Sequence, residues 1–329
     1  MTIFQITALT SLLLSFSVCN GFSPLAGVQS PTKARVSTST LQMATVPPSL
    51  DNTVGIVGRG FISVLSAKLA AIQGYNTWLL SPPGQEVVIT SLVDNPDLPL
   101  ELVESTDTDR VETLIGQTDA YIIAVDDQST MDEAVIKFIM NPETSKAKRI
   151  SAMSRNLNGK DMGFLVKASK ATANNEVWDN SNAAEYKKFE DTVKKQAAAL
   201  GGDYTIVRAG TLKGGAEGED PLCTQYLSNK FYEMTKKDIV TWQLLFDCNV
   251  RGVKLAKGDV LPGAGGKAVF TATATEACPG DSSRCAVAEA LVRSLNSDAC
   301  TKIDFGVATE DARDPPTNEE WEQMFATMS

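Results

Sequence analysis

Histidine is absent from all 329 residues. That absence excludes a Ser-His-Asp triad, an imidazole general base, a His-ligated zinc or iron site and an imidazole pH switch. Any acid–base chemistry falls to Tyr, Lys, Asp, Glu, Cys or a bound cofactor. Cysteine is sparse: Cys19 lies near the N-terminus, and Cys223, Cys248, Cys278, Cys285 and Cys300 contain no CxxC pair. An odd, scattered set reads as small buried apolar residues, unlike the dense, even framework of a secreted disulfide protein. Basic charge is also short, with 30 Lys and Arg against 40 Asp and Glu. The first 50 residues hold Lys33 and Arg35 and no acid, which leaves 28 basic against 40 acidic residues beyond them. A net −12 repels nucleic-acid phosphates and anionic lipid, so no nucleic-acid partner is expected.

Long apolar runs are scarce as well. Ile6 to Val18 has the length of a signal-peptide core and falls short of the roughly 20 residues that span a bilayer. No transmembrane segment is expected in the mature chain. From Phe22 to about Pro48 the sequence is rich in Ser, Thr and Ala and free of acids, a transit-peptide composition. A signal-like run, then Phe22, then a transit-like stretch resembles the bipartite plastid presequence of diatoms and related algae. The resemblance implies a signal peptide over 1–21, a transit peptide or disordered stretch over 22–48, and delivery to the plastid stroma or the stromal face of the thylakoid. A plain secretory signal before a disordered stretch is the alternative.

From Thr53 short apolar runs alternate with amphipathic stretches. Strands are expected at Thr53–Val57, Asn76–Leu80, within Glu101–Glu104, and at Ala120–Val125, Arg149–Met153, Tyr204–Val207 and Ile303–Val307. Helices are expected at Phe61–Ile72, Thr108–Ile115, Met131–Met140, Asn182–Leu200, Cys285–Leu295 and Asn318–Met328. Strands separated by helices pair in parallel through right-handed crossovers. The expected fold is therefore α/β, a doubly wound parallel sheet of the Rossmann kind with a small C-terminal substrate-side region. It forms one domain over 50–329, with a nucleotide half at 50–150 and a variable half at 151–329.

The first strand–helix turn reads Gly55-Ile-Val-Gly58-Arg59-Gly60-Phe61-Ile62-Ser63. Glycines there let the backbone turn tightly and approach a pyrophosphate, which rests on the N–H groups of the helix N-terminus. Gly55, Gly58, Arg59, Gly60, Phe61 and Ile62 are the expected cofactor contacts, with Ser81 and Val125 at neighbouring strand ends. The second strand ends in Leu80-Ser81-Pro82, without the acid that would hold a ribose 2′-hydroxyl. Arg59 is placed to pair with a 2′-phosphate, so NADP(H) is preferred over NAD(H).

Three further stretches carry a family resemblance: Asp119-Ala-Tyr-Ile-Ile-Ala-Val-Asp126, Asp203-Tyr-Thr-Ile-Val-Arg-Ala-Gly-Thr-Leu212 and Ser283-Arg-Cys-Ala-Val-Ala-Glu-Ala-Leu291. In this order, and with the glycine loop, they resemble atypical short-chain dehydrogenase/reductase (SDR) proteins over roughly residues 53 to 309. The resemblance implies a nicotinamide dinucleotide as partner and a YxxxK pair assisted by a strand-end serine. A lysine ammonium would lower the tyrosine pKa and hold the nicotinamide ribose. Tyr186 falls at the tyrosine position, and Ser151 and Ser154 are the serine candidates. The lysine position is Glu190, which opposes ionisation of the phenol; Lys187 and Lys188 do not lie one turn from Tyr186 on the same face.

The remaining features are weaker. Arg284 reads as a structural ion-pair partner beneath the sheet edge. Asp126-Asp127 reads as solvated surface, and no acidic pair has the spacing of a metal site. Trp242 and Phe231-Tyr232 read as core or interface packing, with a substrate-side cleft as the alternative. Gly214–Thr241 reads as a variable insertion and a docking surface. Three functions stay open: a largely non-catalytic NADP(H)-binding protein that serves a thylakoid or stromal protein complex, an active NADP(H)-dependent reductase or isomerase, and, as the weakest, a structural subunit whose loop no longer binds a nucleotide.

Overall fold

The computed structural model describes residues 45–126, 129–157, 183–220, 223–235, 237–263 and 276–328. The expected signal and transit segments up to residue 44, and Asp127, lie outside them. The order of strands and helices begins β1 (Thr53–Arg59), α1 (Phe61–Gln73), β2 (Asn76–Ser81), α2 (Glu86–Val93), β3 (Leu100–Glu104), α3 (Thr108–Gln117) and β4 (Ala120–Val125). It continues with α4 (Glu133–Ile139), β5 (Arg149–Arg155), α5 (Ala183–Ala199), β6 (Asp203–Ala209) and β7 (Thr211–Lys213). Then come α6 (Lys230–Met234), α7 (Lys237–Asn249), β8 (Gly252–Lys257), β9 (Asp281–Ser283), α8 (Arg284–Arg293), β10 (Ile303–Glu310) and α9 (Asn318–Ala326).

Among the described residues the main sheet has eight strands in the order β3-β2-β1-β4-β5-β6-β10-β8. All neighbours pair in parallel except β10 and β8. The run β3-β2-β1-β4-β5-β6 is the doubly wound Rossmann order, with its switch point between β1 and β4. Strands covered on both faces need continuous apolar runs, and all six residues of β4, Ala-Tyr-Ile-Ile-Ala-Val, are buried.

Each sheet face has its own core. Ile62, Leu65 and Leu69 of α1 and Val287 and Leu291 of α8 fill one. Val111 and Leu114 of α3, Ile136 of α4, and Phe189 and Val193 of α5 fill the other. The inner face of α5 carries Tyr186, Phe189, Glu190, Val193 and Ala197, the spacing that one side of a helix imposes. Burying the Phe189 or Val193 side chain contributes roughly 1.5–3 kcal/mol. Helix ends follow local chemistry. Gly74 ends α1 in the left-handed conformation at φ 102°, and Thr317 and Glu320 close α9 with a reciprocal capping box.

The expected strands and helices are all present. The sequence pattern did not disclose α2, whose Glu-Val-Val-Ile-Thr-Ser-Leu-Val is rich in β-branched residues, or the antiparallel edge strand β8. Residues 214–241, expected as an insertion, contain α6 and enter α7. Trp242 lies on α7, and its side chain is outside the described part.

Two ties fix the segments around the first and eighth helices. Val46 is buried; its N–H donates to the Leu295 carbonyl at 3.0 Å, and its carbonyl accepts from Tyr75 Oη at 2.8 Å. Arg149, fully buried on β5, donates to the Ser294 carbonyl at 2.7 Å and to Thr205 Oγ1 at 2.9 Å, fixing the end of α8 against the strands.

Candidate functional site

The glycine turn lies at the switch point. Gly58 pairs with Ala124 and Arg59 with Val125 across β1 and β4. A Cβ on Gly58 would fall 1.7 Å from the Ala124 carbonyl oxygen, so the two strands approach too closely for any side chain there. Gly60, at φ 91°, precedes α1, and Ser63 Oγ donates back to its carbonyl at 2.8 Å. Gly55 sits earlier, within β1, where a Cβ would meet the Trp78 and Tyr121 rings at 2.7–2.8 Å; it is a packing position and not part of the turn. Ile62 sends its side chain into the core beneath α1, where it is fully buried.

An anion already occupies the first turn of α1. Asp126, the residue after β4, accepts from the Phe61 N–H through Oδ2 at 3.1 Å. Arg284 Nε lies 3.1 and 3.0 Å from its two carboxylate oxygens. The Asp126 main chain is fixed as well: its N–H donates to the Arg59 carbonyl at 3.0 Å, and its carbonyl accepts from Arg155 Nη2 at 2.8 Å. Phe231 packs edge-on against Phe61 with ring centroids 4.8 Å apart. Asp126 is therefore not solvated surface. Arg284 is an ion-pair partner as expected, but it stands at the glycine turn instead of beneath a sheet edge.

Beside this turn, a cleft of about 430 Å³ opens between the ends of β1 and β2 and the first turns of α4 and α5. Gly58, Arg59, Ser81, Pro82, Glu133 and Lys188 are among its lining residues. Ser81 Oγ donates inward to the Val103 carbonyl at 3.3 Å. Val125 ends β4, buried, at the switch point. Arg59 Nη2 reaches Ser129 Oγ and the Thr130 carbonyl, so its guanidinium stands in the cleft wall. Two acids that line the cleft, Asp132 and Glu133, are engaged. Asp132 caps α4 through the Ala134 N–H at 2.7 Å. Glu133 lies between Lys137 at 2.7 Å and Lys188 at 2.9 Å, whose hydrogen bonds hold its carboxyl down to about 2. Glu104, at the end of β3, accepts from the Gly84 N–H at 2.8 Å.

The catalytic candidates divide between the two sheet faces. Ser151 points toward α8, where its Oγ lies 2.8 Å from Ser294 Oγ, fully buried and away from Tyr186. Its alternation partner Ser154 stands on the α5 face, fully buried, with its Oγ unpartnered among the described residues. Tyr186 is buried on α5, and its Oη donates to the Ser129 carbonyl at 3.4 Å. Glu190, one turn on, is committed elsewhere. Its Oε1 and Oε2 accept from Arg208 Nε at 2.9 Å and Nη2 at 2.8 Å. Arg208 belongs to β6, lies beside Ser154 in the β5–β6 register, and also pairs with Asp304 on β10. Burial opposes the charge on Arg208, but the hydrogen bonds it donates to Glu190 and Asp304, and their negative charge, outweigh it and the guanidinium pKa is raised.

Sequence reading missed the Glu190–Arg208 pair and the place of Asp126. The first left a signal: an arginine inside the buried strand Tyr-Thr-Ile-Val-Arg-Ala requires a carboxylate partner. The second left none, because Asp126 and Arg284 are 158 residues apart.

No protein-family model matches the chain, and no curated protein does. Among solved structures, similarity is found to a short-chain dehydrogenase/reductase from Veillonella parvula in complex with NADP, at 14% identity and a TM-score of 0.46, covering 81% of this chain and 99% of that one. A yeast methylglyoxal/isovaleraldehyde reductase complexed with NADPH is similar at 11% identity and a TM-score of 0.47, over 78% of this chain and 75% of that one. The terminal R domain of the myxalamid biosynthetic pathway is similar at 15% identity and a TM-score of 0.45, over 86% and 72%. Among the described residues no helix is long and apolar enough to cross a membrane, and no cluster of His, Cys, Asp and Glu has metal-binding form.

For a dinucleotide, the two halves of the site differ. The cleft suits an adenosine half: it adjoins the glycine turn, and no carboxylate ends β2. The diphosphate position does not fit as it stands, because the Asp126 carboxylate fills it: Oδ2 accepts from the Phe61 N–H at 3.1 Å and would lie 3.1 Å from a Cβ on Gly60.

Proposed function

We propose that this chain is a nucleotide-binding protein of the atypical SDR kind that takes NADP(H) and does not perform YxxxK hydride transfer. Glu190 carries the reading. The residue at the lysine position is a carboxylate whose two oxygens are both consumed by Arg208, so no ammonium stands one turn from Tyr186. The adenosine half would lie in the cleft at Ser81 and Pro82, with Arg59 toward a 2′-phosphate. The presequence resemblance extends the proposal to import into the plastid stroma and to assembly or regulation of a plastid complex.

Calorimetric titration of the protein with NADPH and NADH, followed by a turnover screen, tests it. Saturable NADPH binding tighter than NADH binding, without turnover, is the expected result. Rapid NADPH oxidation with a small carbonyl substrate would overturn the non-catalytic part. One observation favours that second reading, an active reductase: Ser154 carries an unpartnered buried hydroxyl on the same sheet face as Tyr186. Under it, Tyr186→Phe abolishes activity.

A further inference from the structure

We propose that Asp126 is a tethered anion that keeps the diphosphate seat of the glycine turn closed, and that a bound dinucleotide takes its place and frees Arg284. The inference rests on the nucleotide reading for the adjoining cleft. Its claim about Asp126 is separate and is tested separately.

A helix N-terminus carries unsatisfied N–H groups and a partial positive charge, and an anion placed there is stabilised. The Asp126 carboxylate supplies that anion from within the chain, 3.1 Å from the Phe61 N–H, and Arg284 balances its charge. The arrangement is largely shielded, with the Asp126 side chain 9% exposed and that of Arg284 18% exposed. A diphosphate brought to the same position meets a like charge at contact distance, so the two anions exclude one another. Once Asp126 turns away, Arg284 is left facing the diphosphate, and a guanidinium binds phosphate oxygens well.

The exchange reaches beyond the turn. Arg284 Nη1 also donates to the Gly214 carbonyl at 2.9 Å. Gly214 and Gly215 both hold positive φ, 59° and 135°, and the Gly215 N–H donates to Asp247 Oδ1 at 2.8 Å. Asp247 in turn accepts from Tyr232 Oη at 2.9 Å. A chain of polar contacts therefore runs from the Phe61 amide through Asp126, Arg284, Gly214 and Asp247 to α6. Moving Arg284 loosens the anchor of Gly214 and Gly215 and, through Asp247, of Tyr232, so nucleotide occupancy is passed on to α6.

The experiment uses the full chain and three probes: inorganic pyrophosphate, NADPH, and adenosine 2′-phosphate, which has no 5′-phosphate to enter the seat. Wild type is compared with Asp126→Asn and, should that variant fold poorly, with Asp126→Ser. The expected result is pyrophosphate binding by the variants and not by wild type, with NADPH affinity rising about 10-fold and adenosine 2′-phosphate affinity unchanged. Equal NADPH affinity in wild type and variant overturns the proposal. So does equal pyrophosphate affinity, or no pyrophosphate binding by any folded variant. Adenosine 2′-phosphate failing to bind wild type counts against the nucleotide reading alone. In wild type, NADPH should also speed amide exchange at Gly215 and in α6; unchanged exchange in the saturated protein removes the link to α6.

Discussion

Glu190 and Arg208 meet through two nearly parallel hydrogen bonds, 2.9 and 2.8 Å long, between α5 and β6, and both side chains are more than nine-tenths buried. Arg208 extends to Asp304 on β10 as well, so one guanidinium joins a helix to two adjacent strands. Removing Glu190 takes two hydrogen bonds from a buried guanidinium and leaves it Asp304 alone as a carboxylate partner, a loss of up to about 3–5 kcal/mol. Glu190→Ala should lower the urea midpoint accordingly, and Glu190→Lys should lower it further, since it sets two cations together. Glu190→Lys rebuilds the YxxxK spelling and is expected to yield no NADPH turnover. Stability equal to wild type in both variants would show that the pair contributes nothing.

Gly58→Ala places a methyl group against the Ala124 backbone, where no side chain can turn aside. Separating β1 from β4 is the remaining relief, and it deforms the switch point. The variant should lose at least about 2 kcal/mol in denaturant unfolding and lose nucleotide binding with it. A variant of unchanged midpoint and unchanged binding would show that β1 and β4 part without cost.

Asp247 is buried, and burial pushes its carboxyl up to about 7 against the pull of its Gly215, Tyr232 and Ala216 hydrogen bonds and of Arg284. Cys285 and Tyr232 also face it, and Arg251 Nε donates to its carbonyl. The folded carboxyl therefore keeps its proton at pH values where the unfolded one, near 3.9, has lost it. Between those limits the native state binds more protons, so stability falls as pH rises from about 4 to about 7, by on the order of 4 kcal/mol. Melting temperatures followed across that range should show the decline in wild type and a flatter profile in Asp247→Asn. Parallel profiles would assign the titration to another group.

Among the described residues no disulfide is formed, and Cys223, Cys248, Cys278, Cys285 and Cys300 are thiols. Burial pushes Cys300 up to about 12 and raises Cys223 and Cys285 as well. Thiolate is the reactive form, so iodoacetamide at pH 8 should modify the partly exposed Cys248 and Cys278 first. Mass spectrometry of the labelled peptides checks the order. Early labelling of Cys285 would mean that the start of α8 opens readily.

How far the sequence discloses this structure depends on the range of the interactions. β1, α1, β4 and α5 are legible because their apolar spacing is local and long enough to set a period. The glycine turn is legible because a close strand crossing and a positive φ restrict the residue type. α2 is hidden by its Val-Val-Ile-Thr, which reads as extended chain until α1 and α6 pack against it. β8 is hidden because an edge strand buries little, and its partner β10 lies some fifty residues on. At the site, Ser151 and Ser154 look equivalent in one dimension; only the pleat of β5 sends one to α8 and the other to α5. The Asp126–Arg284 pair joins residues 158 positions apart and has no local signature.

Val46 has a consequence for where this protein can be cut. It precedes the first strand, yet its backbone bridges Tyr75, just beyond α1, and Leu295, just beyond α8. A protease that trims the residues before it without harm must act on its N-terminal side. One that acts on its C-terminal side takes away the strap across two neighbouring helices and leaves the phenol of Tyr75 without its acceptor inside the core. The smallest intact domain thus begins a full turn of chain earlier than the sheet does, and the stable N-terminus left by limited digestion should mark that boundary.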